Sequence, residues 1–534
     1  MAGKSYRRFL FTSGSTLGLI VMVCLLVWKV SLHVVASSPP ELPLGKETTY
    51  VTGPLDEEGY IYYETALNER LRQGIKPEAN ANVLLWQAWG PRPEGSRMPE
   101  RFYEWLGIPE PPEEGDYFVG LWEYLRDTAK VEPEAIESLS QQLWELRQQP
   151  WLGQSHSHIE GWLRVNDKPL ALVIEATKRP QYYNPLVSRQ RGPGNLIDAL
   201  LPGPQKCREV QLALVRRAQL RMKEGKYAEG WQDLLAAHRL ARHIARGGTS
   251  IELVVGAVLE DVACQGHLSY LEDGRLTAEQ LRGFLKDVQG LPPLPPYADK
   301  VELTERLICL DCIQRIRRGD ELPGNEKMPA HLEGMERIVW EPALRNINQG
   351  FDRIVAALRL SHRAEREKAL EEIAQELEAL AERSRPSPIE RLLAPIQRLW
   401  RDPRKYGAEV GIRIGNITIG LFVSAIQKVQ QTHDRGTQRL RNLQVALALA
   451  IYQREHGRYP ARLEELAPRY LPAVPDDLFT GQPLIYRRTE GGYVLYSVGV
   501  NGRDDEGRTY GEVPPGDDLV VRLPLSEPKP KNDE

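Results

Sequence analysis

Residues 484–498, LIYRRTEGGYVLYSV, contain two runs in which successive side chains point to opposite faces of an extended chain. The segment EGG (490–492) separates the runs, and glycine supplies the positive φ that a tight hairpin needs. A third alternating run, LVVRL, follows at 519–523. The pattern therefore predicts a three-stranded antiparallel sheet near the C-terminus.

A long helix is predicted directly upstream of this sheet. Apolar residues recur there at spacings of three and four, which places them on one stripe of a helix: Leu440, Leu443, Leu447, Ala450 and Ile451. His456-Gly457 ends the pattern, and Pro460 restrains Tyr459 to an extended conformation. We expect the apolar stripe to pack on the sheet.

Three linked motifs carry a family resemblance: GRYP (457–460), YLPAVPDDLFTGQPLIY (470–486) and GGYVLYSVGVNG (491–502). Together they resemble the C-terminal domain of pseudopilin G, the major pseudopilin of type II secretion systems. The resemblance covers residues 428 to 523 and implies a C-terminal α+β domain at 428–525.

In the pseudopilin G family, the loop before the last strand binds calcium through backbone carbonyls and a pair of aspartates. By position, Asp517 and Asp518 match that pair, residues 497–502 form the facing turn, and Asp504 and Asp505 lie in the same loop. Calcium takes six to eight hard oxygen ligands, which carboxylates and carbonyls supply. The resemblance thus implies a calcium site, and the alternative is a solvated acidic turn. No other cofactor is expected.

The chain departs from the pseudopilin pattern in its hydrophobic helix. A pseudopilin begins with a short basic leader and a membrane helix that carries a glutamate, whereas here the resembling domain is at the far end. Only 14 residues lie between Arg413 and Lys428, fewer than the roughly 20 that a membrane crossing needs. The segment is predicted to be a buried helix, which argues against filament assembly.

The N-terminal residues 1–36 are predicted to anchor the chain in a membrane. A basic tip precedes an uncharged run from Phe9 to Trp28, whose length fits one crossing of the bilayer. The basic flank favours a cytoplasmic N-terminus, so the bulk of the chain would be periplasmic. The alternative is a cleaved signal peptide, with Val34 and Ala36 as the small residues at its cleavage site. In both interpretations the rest of the chain is exported across the membrane.

The rest of the chain divides by composition into five segments. Residues 37–55 are rich in Pro and Glu and are predicted to be an extended tether. Residues 56–200 form an aromatic-rich, mainly helical region, and 201–427 form helical hairpins. The pseudopilin-like domain at 428–525 precedes a disordered tail at 526–534. The predicted fold is therefore mainly α, with one α+β module.

Two stretches within the helical regions carry further signals. The stretch EGKYAEGWQDLLAAHRLAR (224–242) is similar to a degenerate tetratricopeptide hairpin. Residues 82–125 are dense in Trp and Tyr, which is typical either of a ligand groove or of a core between short, steeply crossing helices. KPLALVIEATKRPQYYNPL (168–186) and DLLAAHRLAR (233–242) stand in an order similar to that in anchored bacterial proteins with large exported regions. That similarity implies architecture and no activity.

Four cysteines follow the anchor, and an even number in an oxidising compartment allows three disulfide pairings: Cys207, Cys264, Cys309 and Cys312. The spacing of Cys309 and Cys312 also suits a redox or metal pair. Their surrounding pattern is helical, without a neighbouring strand or a second cysteine pair. Packing, or pairing with Cys207 and Cys264, is the favoured interpretation.

Two groups of polar residues have spacings that suit chemistry. His156, His158 and Glu160 stand close enough in the chain to bind zinc, the alternative being a surface loop or helix start. Glu260 and His267, with Asp261, fall at helical spacing in an apolar segment, where a satisfied core pair or an interhelix pair is favoured over a buried acid. No catalytic residue is assigned.

Charge and composition restrict the function classes. The net charge of −4 provides no basic surface for nucleic acid. Three hypotheses remain: a membrane-tethered interaction protein that binds other envelope proteins, an accessory part of a type II secretion or pilus-like machine, and an exported hydrolase that uses residues 56–190. The first is preferred.

Overall fold

The structure is a computed structural model that describes residues 43–145, 156–190, 196–318, 338–383 and 402–525. It is mainly helical with a three-stranded antiparallel sheet at the C-terminus, as predicted. The predicted membrane anchor and the predicted tail lie outside the described residues.

The helices of the first half are α1 Tyr63–Arg72, α2 Ala81–Trp89, α3 Glu100–Leu106, α4 Leu121–Glu123, α5 Pro133–Glu145, α6 His156–Val165, α7 Asp167–Lys178, α8 Pro204–Lys223, α9 Tyr227–Arg246, α10 Ser250–Gly266 and α11 Leu268–Glu272. Those of the second half are α12 Ala278–Gln289, α13 Tyr297–Lys300, α14 Arg306–Arg318, α15 Trp340–Leu358, α16 Arg363–Arg383 and α17 Pro403–His456. Single turns of π-helix occupy Tyr124–Thr128 and Val301–Glu305, and 3-10 turns occupy Leu196–Asp198 and Leu463–Leu466. The strands are β1 Val187–Ser188, β2 Ala199–Leu200, β3 Ile485–Thr489, β4 Gly492–Ser497 and β5 Leu519–Leu523.

The C-terminal sheet has three antiparallel strands, as the alternating pattern predicted. Strand β4 lies between β3 and β5, and both neighbours are antiparallel to it. Gly491 has φ +81°, which the predicted tight hairpin requires. Gly492 faces the carbonyl of Leu523 so closely that a Cβ would clash with it. The glycine pair therefore serves both the turn and the pairing of β4 with β5.

Helix α17 is much longer than predicted. It ends at the predicted place, where Gly457 adopts φ +72° and its N–H bonds Gln453, but it begins at Pro403, capped by Asp402. The predicted boundary at 427/428 therefore lies inside one continuous helix. Among the described residues it is the helix that is long and apolar enough to cross a membrane, and 53% of its apolar window is buried inside the protein.

Two clusters of buried apolar residues form the core. The first extends from Ala81 to Leu523 and joins the aromatic-rich helices, the hairpins and the sheet. The second extends from Val51 to Val429 and is formed mainly by α13 to α16 and the first half of α17. Each cluster draws on distant parts of the chain, so the segments distinguished by composition interlock in space.

The predicted tether is wrong for its described part. Thr48 and Val51 are buried, and the carbonyl of Thr48 accepts a hydrogen bond of 2.6 Å from Asn348 Nδ2. The ring of Tyr50 lies 4.3 Å from the guanidinium carbon of Arg306. The Pro- and Glu-rich composition indicated an extended strand in solvent, but these partners lie hundreds of residues away and hold the segment on the second core.

The helical hairpins are where the periodicity predicts them. Helices α8 and α9 are joined through Gly225, which adopts φ +78°. Helix α10 packs on both of them. It begins with a capping box in which Thr249 and Glu252 satisfy each other's backbone N–H groups. These three helices hold most of the buried polar groups discussed below.

Candidate functional site

The four aspartates predicted to bind calcium lie in one loop. Asp518 Oδ2 accepts the N–H of Gly507 at 2.7 Å, and Asp505 Oδ2 accepts the N–H of Asp517 at 2.8 Å. Asp504 accepts the hydroxyl of Tyr496 at 3.0 Å. These carboxylates therefore stabilise the turn itself, as the alternative of an acidic turn expects.

Two features of this loop bear on the predicted calcium site. Asp517 forms an ion pair with Arg435, which a cation would have to displace. Burial, together with the nearby charges of Asp505 and Asp504, raises the pKa of Asp518 to about 6, although its backbone hydrogen bonds act in the opposite direction. The hard oxygen donors and the crowded negative charge fit calcium chemically, and the site stays a prediction.

A second set of titratable groups lies buried between α9 and α10. His238 Nδ1 is 2.9 Å from Glu260 Oε1, and Arg242 binds the same carboxylate through both terminal nitrogens. All three side chains are at most 2% exposed. Burial by itself would raise the pKa of Glu260, but the charges and hydrogen bonds of His238 and Arg242 hold it at about 2. The carboxylate is therefore ionised and paired.

His267 extends this network by one group. Its Nε2 lies 2.8 Å from Nε2 of His238, so the two rings share a single proton in that contact. Its Nδ1 is buried without a hydrogen-bond partner. Burial, and then the charge of His238, lowers the pKa of His267 well below its usual value. Glu260 and His267 each contact His238 of the neighbouring helix, which confirms the interpretation as interhelix pairing. Asp261 instead pairs with Arg439 of α17 at 2.9 Å.

His238, Glu260 and Cys264 are the described residues whose potential metal-ligand atoms lie within 4.8 Å of one another. A histidine, a carboxylate and a thiol are ligands that zinc accepts. However, Arg242 already occupies the carboxylate with its positive charge, and burial raises the pKa of the Cys264 thiol, with the charge of Glu260 adding to the effect. The arrangement therefore suits a structural ion pair better than a metal.

The sequence candidates other than Glu260 and Cys264 do not belong to the group of potential metal ligands found among the described residues. The four cysteines that follow the predicted anchor are buried and no disulfide joins them. Cys309 and Cys312 lie in the middle of α14, as the helical pattern predicted. His156, His158 and Glu160 lie in the first turns of α6, which confirms the interpretation as a helix start.

An open cleft lies in the aromatic-rich region. It encloses about 430 Å³ between α1 and α3 and is lined by Tyr62, Glu64, Thr65, Arg72, Arg101, Glu104 and Trp105. Other aromatic rings of this region pack against one another; Trp86 lies 4.8 Å from Phe102 and 5.5 Å from Tyr103 between ring centroids. The ring contacts confirm the interpretation as a core between short helices, whereas a ligand groove stays a prediction, since Trp105 is the residue of 82–125 whose ring lines the cleft.

Sequence reasoning missed the buried partners of Glu260 and the acid that orders the C-terminal module. His238 and Arg242 are four residues apart, so the sequence places them on one helix face. The sequence does not show that this face lies against Glu260. Asp477, inside the family motif, is buried and accepts the Ser497 hydroxyl at 2.9 Å and the N–H of Val498 at 2.9 Å. Asp477 therefore joins the segment 470–486 to the end of strand β4.

Comparisons with known proteins find no family model, no curated protein and no solved structure that matches this chain.

Proposed function

We propose that the chain is a single-pass, membrane-anchored protein whose exported body is an interaction platform for other envelope proteins. The observation that supports this most is the packing of α17, which contributes to both cores and to the sheet within one interlocked body. Such a body presents a fixed outer surface rather than a chain of independently moving domains.

The apolar stripe of α17 is covered by the chain's own elements. Leu443, Leu447 and Ile451 are each at most 1% exposed. Asn442 Nδ2 donates to the carbonyl of Leu519 in β5 at 2.7 Å, which fixes the helix to the sheet. The part of α17 that carries Leu443, Leu447 and Ile451 therefore has no apolar stripe left for a filament. This favours a platform over a secretion-machine subunit, the second hypothesis.

The surface that we assign to a protein partner is the tip of the acidic loop, which connects β4 to β5 and contains the four aspartates described above. Tyr510 and Val513 are 86% and 96% exposed, far more than the other exposed large apolar residues of the described chain. Single exposed apolar residues are ordinary, but two at one loop tip form an anchor of the kind that protein interfaces bury. The backbone of the loop is held by hydrogen bonds from Arg508 to Asp505 and from Gly516 to Thr509.

A photo-crosslinking side chain at position 510 of the full-length, membrane-anchored protein tests the proposal. We expect a discrete adduct with another envelope protein, which Val513→Asp weakens. The matched control places the same probe at Trp122, which is 44% exposed in a different region. Absence of an adduct at 510, or the same adducts at both positions, would contradict the platform.

The third hypothesis, an exported hydrolase, gains one observation, because the cleft lies inside residues 56–190. Both oxygens of Glu64 accept hydrogen bonds from Arg101 and Ser188. Glu104 is then the cleft carboxylate left for proton transfer, whereas glycoside hydrolysis ordinarily needs two. The cleft therefore favours binding over cleavage.

A further inference from the structure

The cleft between α1 and α3 has a rigid floor. Glu64 and Arg101 form an ion pair of 3.0 Å with side chains only 14% and 11% exposed. Glu64 Oε2 accepts the N–H of Ser188 at 2.8 Å and its hydroxyl at 2.9 Å, and Arg101 donates to the carbonyl of Gln190 at 3.1 Å. The charges of the floor are thus neutralised and held by the protein itself.

The rim of the cleft is different, because its polar groups have no partner. Within the part of the chain that the structure describes, the side chains of Arg72, Thr65 and Glu104 make no hydrogen bond or ion pair, nor does the hydroxyl of Tyr62. Thr65 and Arg72 are seven residues apart and so lie on the same side of α1, Tyr62 directly precedes that helix, and Glu104 lies on α3. They line the same cleft as Trp105, which is partly exposed.

Each rim group selects a chemical feature of a ligand. The guanidinium of Arg72 matches a carboxylate, with which it forms two parallel hydrogen bonds. The flat rings of Trp105 and Tyr62 accept the apolar face of a sugar ring. The Thr65 hydroxyl and the Glu104 carboxylate lie on separate helices and accept from several hydroxyl groups rather than from one ammonium group. The volume of about 430 Å³ is in the range of small-molecule sites.

We propose that this cleft binds a carboxylate-bearing saccharide, with the carboxylate on Arg72 and a pyranose face on Trp105. Two arginines and two glutamates line the cleft, so its charge is balanced and the pull on an anion is local to Arg72. The site is separate from the loop tip assigned to a protein partner.

Calorimetric titration of the full-length protein in detergent micelles tests this proposal, with di-galacturonate as the probe. Its dimethyl ester is the neutral control with the same rings, and glutamate is the amino-acid control. We expect binding of di-galacturonate that is about 10- to 100-fold tighter than that of the ester, as one charge-assisted pair would give. Arg72→Gln should remove this difference, and Trp105→Leu should weaken both sugars together.

Arg70→Gln is the matched control variant, because Arg70 is an exposed residue of the same helix that does not line the cleft. It should bind like the wild type. Arg72→Lys keeps the charge but loses the two-pronged geometry and should show an intermediate affinity, which separates recognition from folding. Equal binding of acid and ester, tighter binding of glutamate, or no heat at 10 mM probe would each overturn the proposal.

Discussion

The buried network between α9 and α10 holds one carboxylate, Glu260, whereas the acidic loop before β5 holds several, and the two regions treat the negative charge in opposite ways. In the network, Glu260 is desolvated and paired with Arg242 and His238. In the loop, the aspartates mainly accept backbone N–H groups, and Asp504, Asp505 and Asp518 crowd one another. The comparison teaches that the partners brought by tertiary structure, and not the number of acids in the sequence, decide what a carboxylate does.

The largest effect should come from removing one partner of the buried network. Glu260→Ala leaves Arg242 charged and unpaired in the interior, which costs about 3–5 kcal/mol of unfolding free energy. Denaturant titration followed by circular dichroism measures this loss. Asp504→Ala, in the loop, is the matched control and should cost less than about 1 kcal/mol. Equal losses in the two variants would remove the distinction between the regions.

The second largest effect should be a loss of unfolding free energy at acidic pH, caused by a buried histidine of α9. His243, the residue that follows Arg242 on α9, has a pKa lowered to about 4, chiefly by burial. The unfolded chain takes up this proton near pH 6.5 and the folded chain only near pH 4, so stability is complete above pH 6.5 and falls as the pH is lowered through that window. From pH 7.5 to 5 the loss from this group is about 2 kcal/mol.

His243→Gln should remove that part of the pH dependence, because glutamine retains an N–H donor for the Thr177 carbonyl but does not titrate. The readout is the unfolding free energy of the variant and the wild type at several pH values. His158→Gln is the control on a partly exposed histidine and should leave the slope unchanged. A slope that is identical in His243→Gln and the wild type would contradict the assignment.

Calcium should act on the loop alone. At 10 mM calcium and a dissociation constant of about 1 mM, binding would add about 1.4 kcal/mol to the unfolding free energy. Asp518→Asn should abolish the gain, whereas Glu490→Gln, an exposed acid of the β3–β4 hairpin, should retain it. Thermal unfolding with calcium or with chelator measures the difference, and no shift in the wild type would leave the loop as an acidic turn.

The smallest effect should be that of Asp518→Asn without calcium. Because the pKa of Asp518 is raised to about 6, its ionised form is disfavoured in the folded protein. The variant should be more stable than the wild type above pH 6, by less than about 1 kcal/mol. Below pH 6 the wild type takes up the proton and the advantage should shrink. A variant that is less stable at pH 7.5 would show that the hydrogen bonds to Gly507 and Asp505 outweigh the repulsion.

Local patterns predicted much of the fold. The alternation in 484–498, the glycines of the hairpin and the apolar periodicity before His456 depend on neighbours within a few residues, and the structure confirms all three. The sequence could not show that α17 begins at Pro403, because the apolar segment between Arg413 and Lys428 fits a separate core helix equally well. The packing of residues 43–55 was likewise missed, since it depends on Asn348 and Arg306.

The candidate sites were less accessible to sequence reasoning. Glu260 and His267 were recognised from their spacing, but their common partner His238 is supplied by the neighbouring helix. The cleft joins residues about 40 positions apart, and its unpaired rim is defined only by what each side chain fails to contact. Such convergence is a property of three-dimensional packing and leaves no local signature.

Helix α17 has 54 residues and thus a length of about 81 Å. Because this one continuous helix contributes residues to both apolar clusters, unfolding of either cluster would expose the buried side chains of half of the helix. Thermal unfolding of the protein should therefore be a single cooperative transition instead of two steps. A fragment produced by dividing the chain between residues 427 and 428 should be digested by protease as readily as an unstructured peptide.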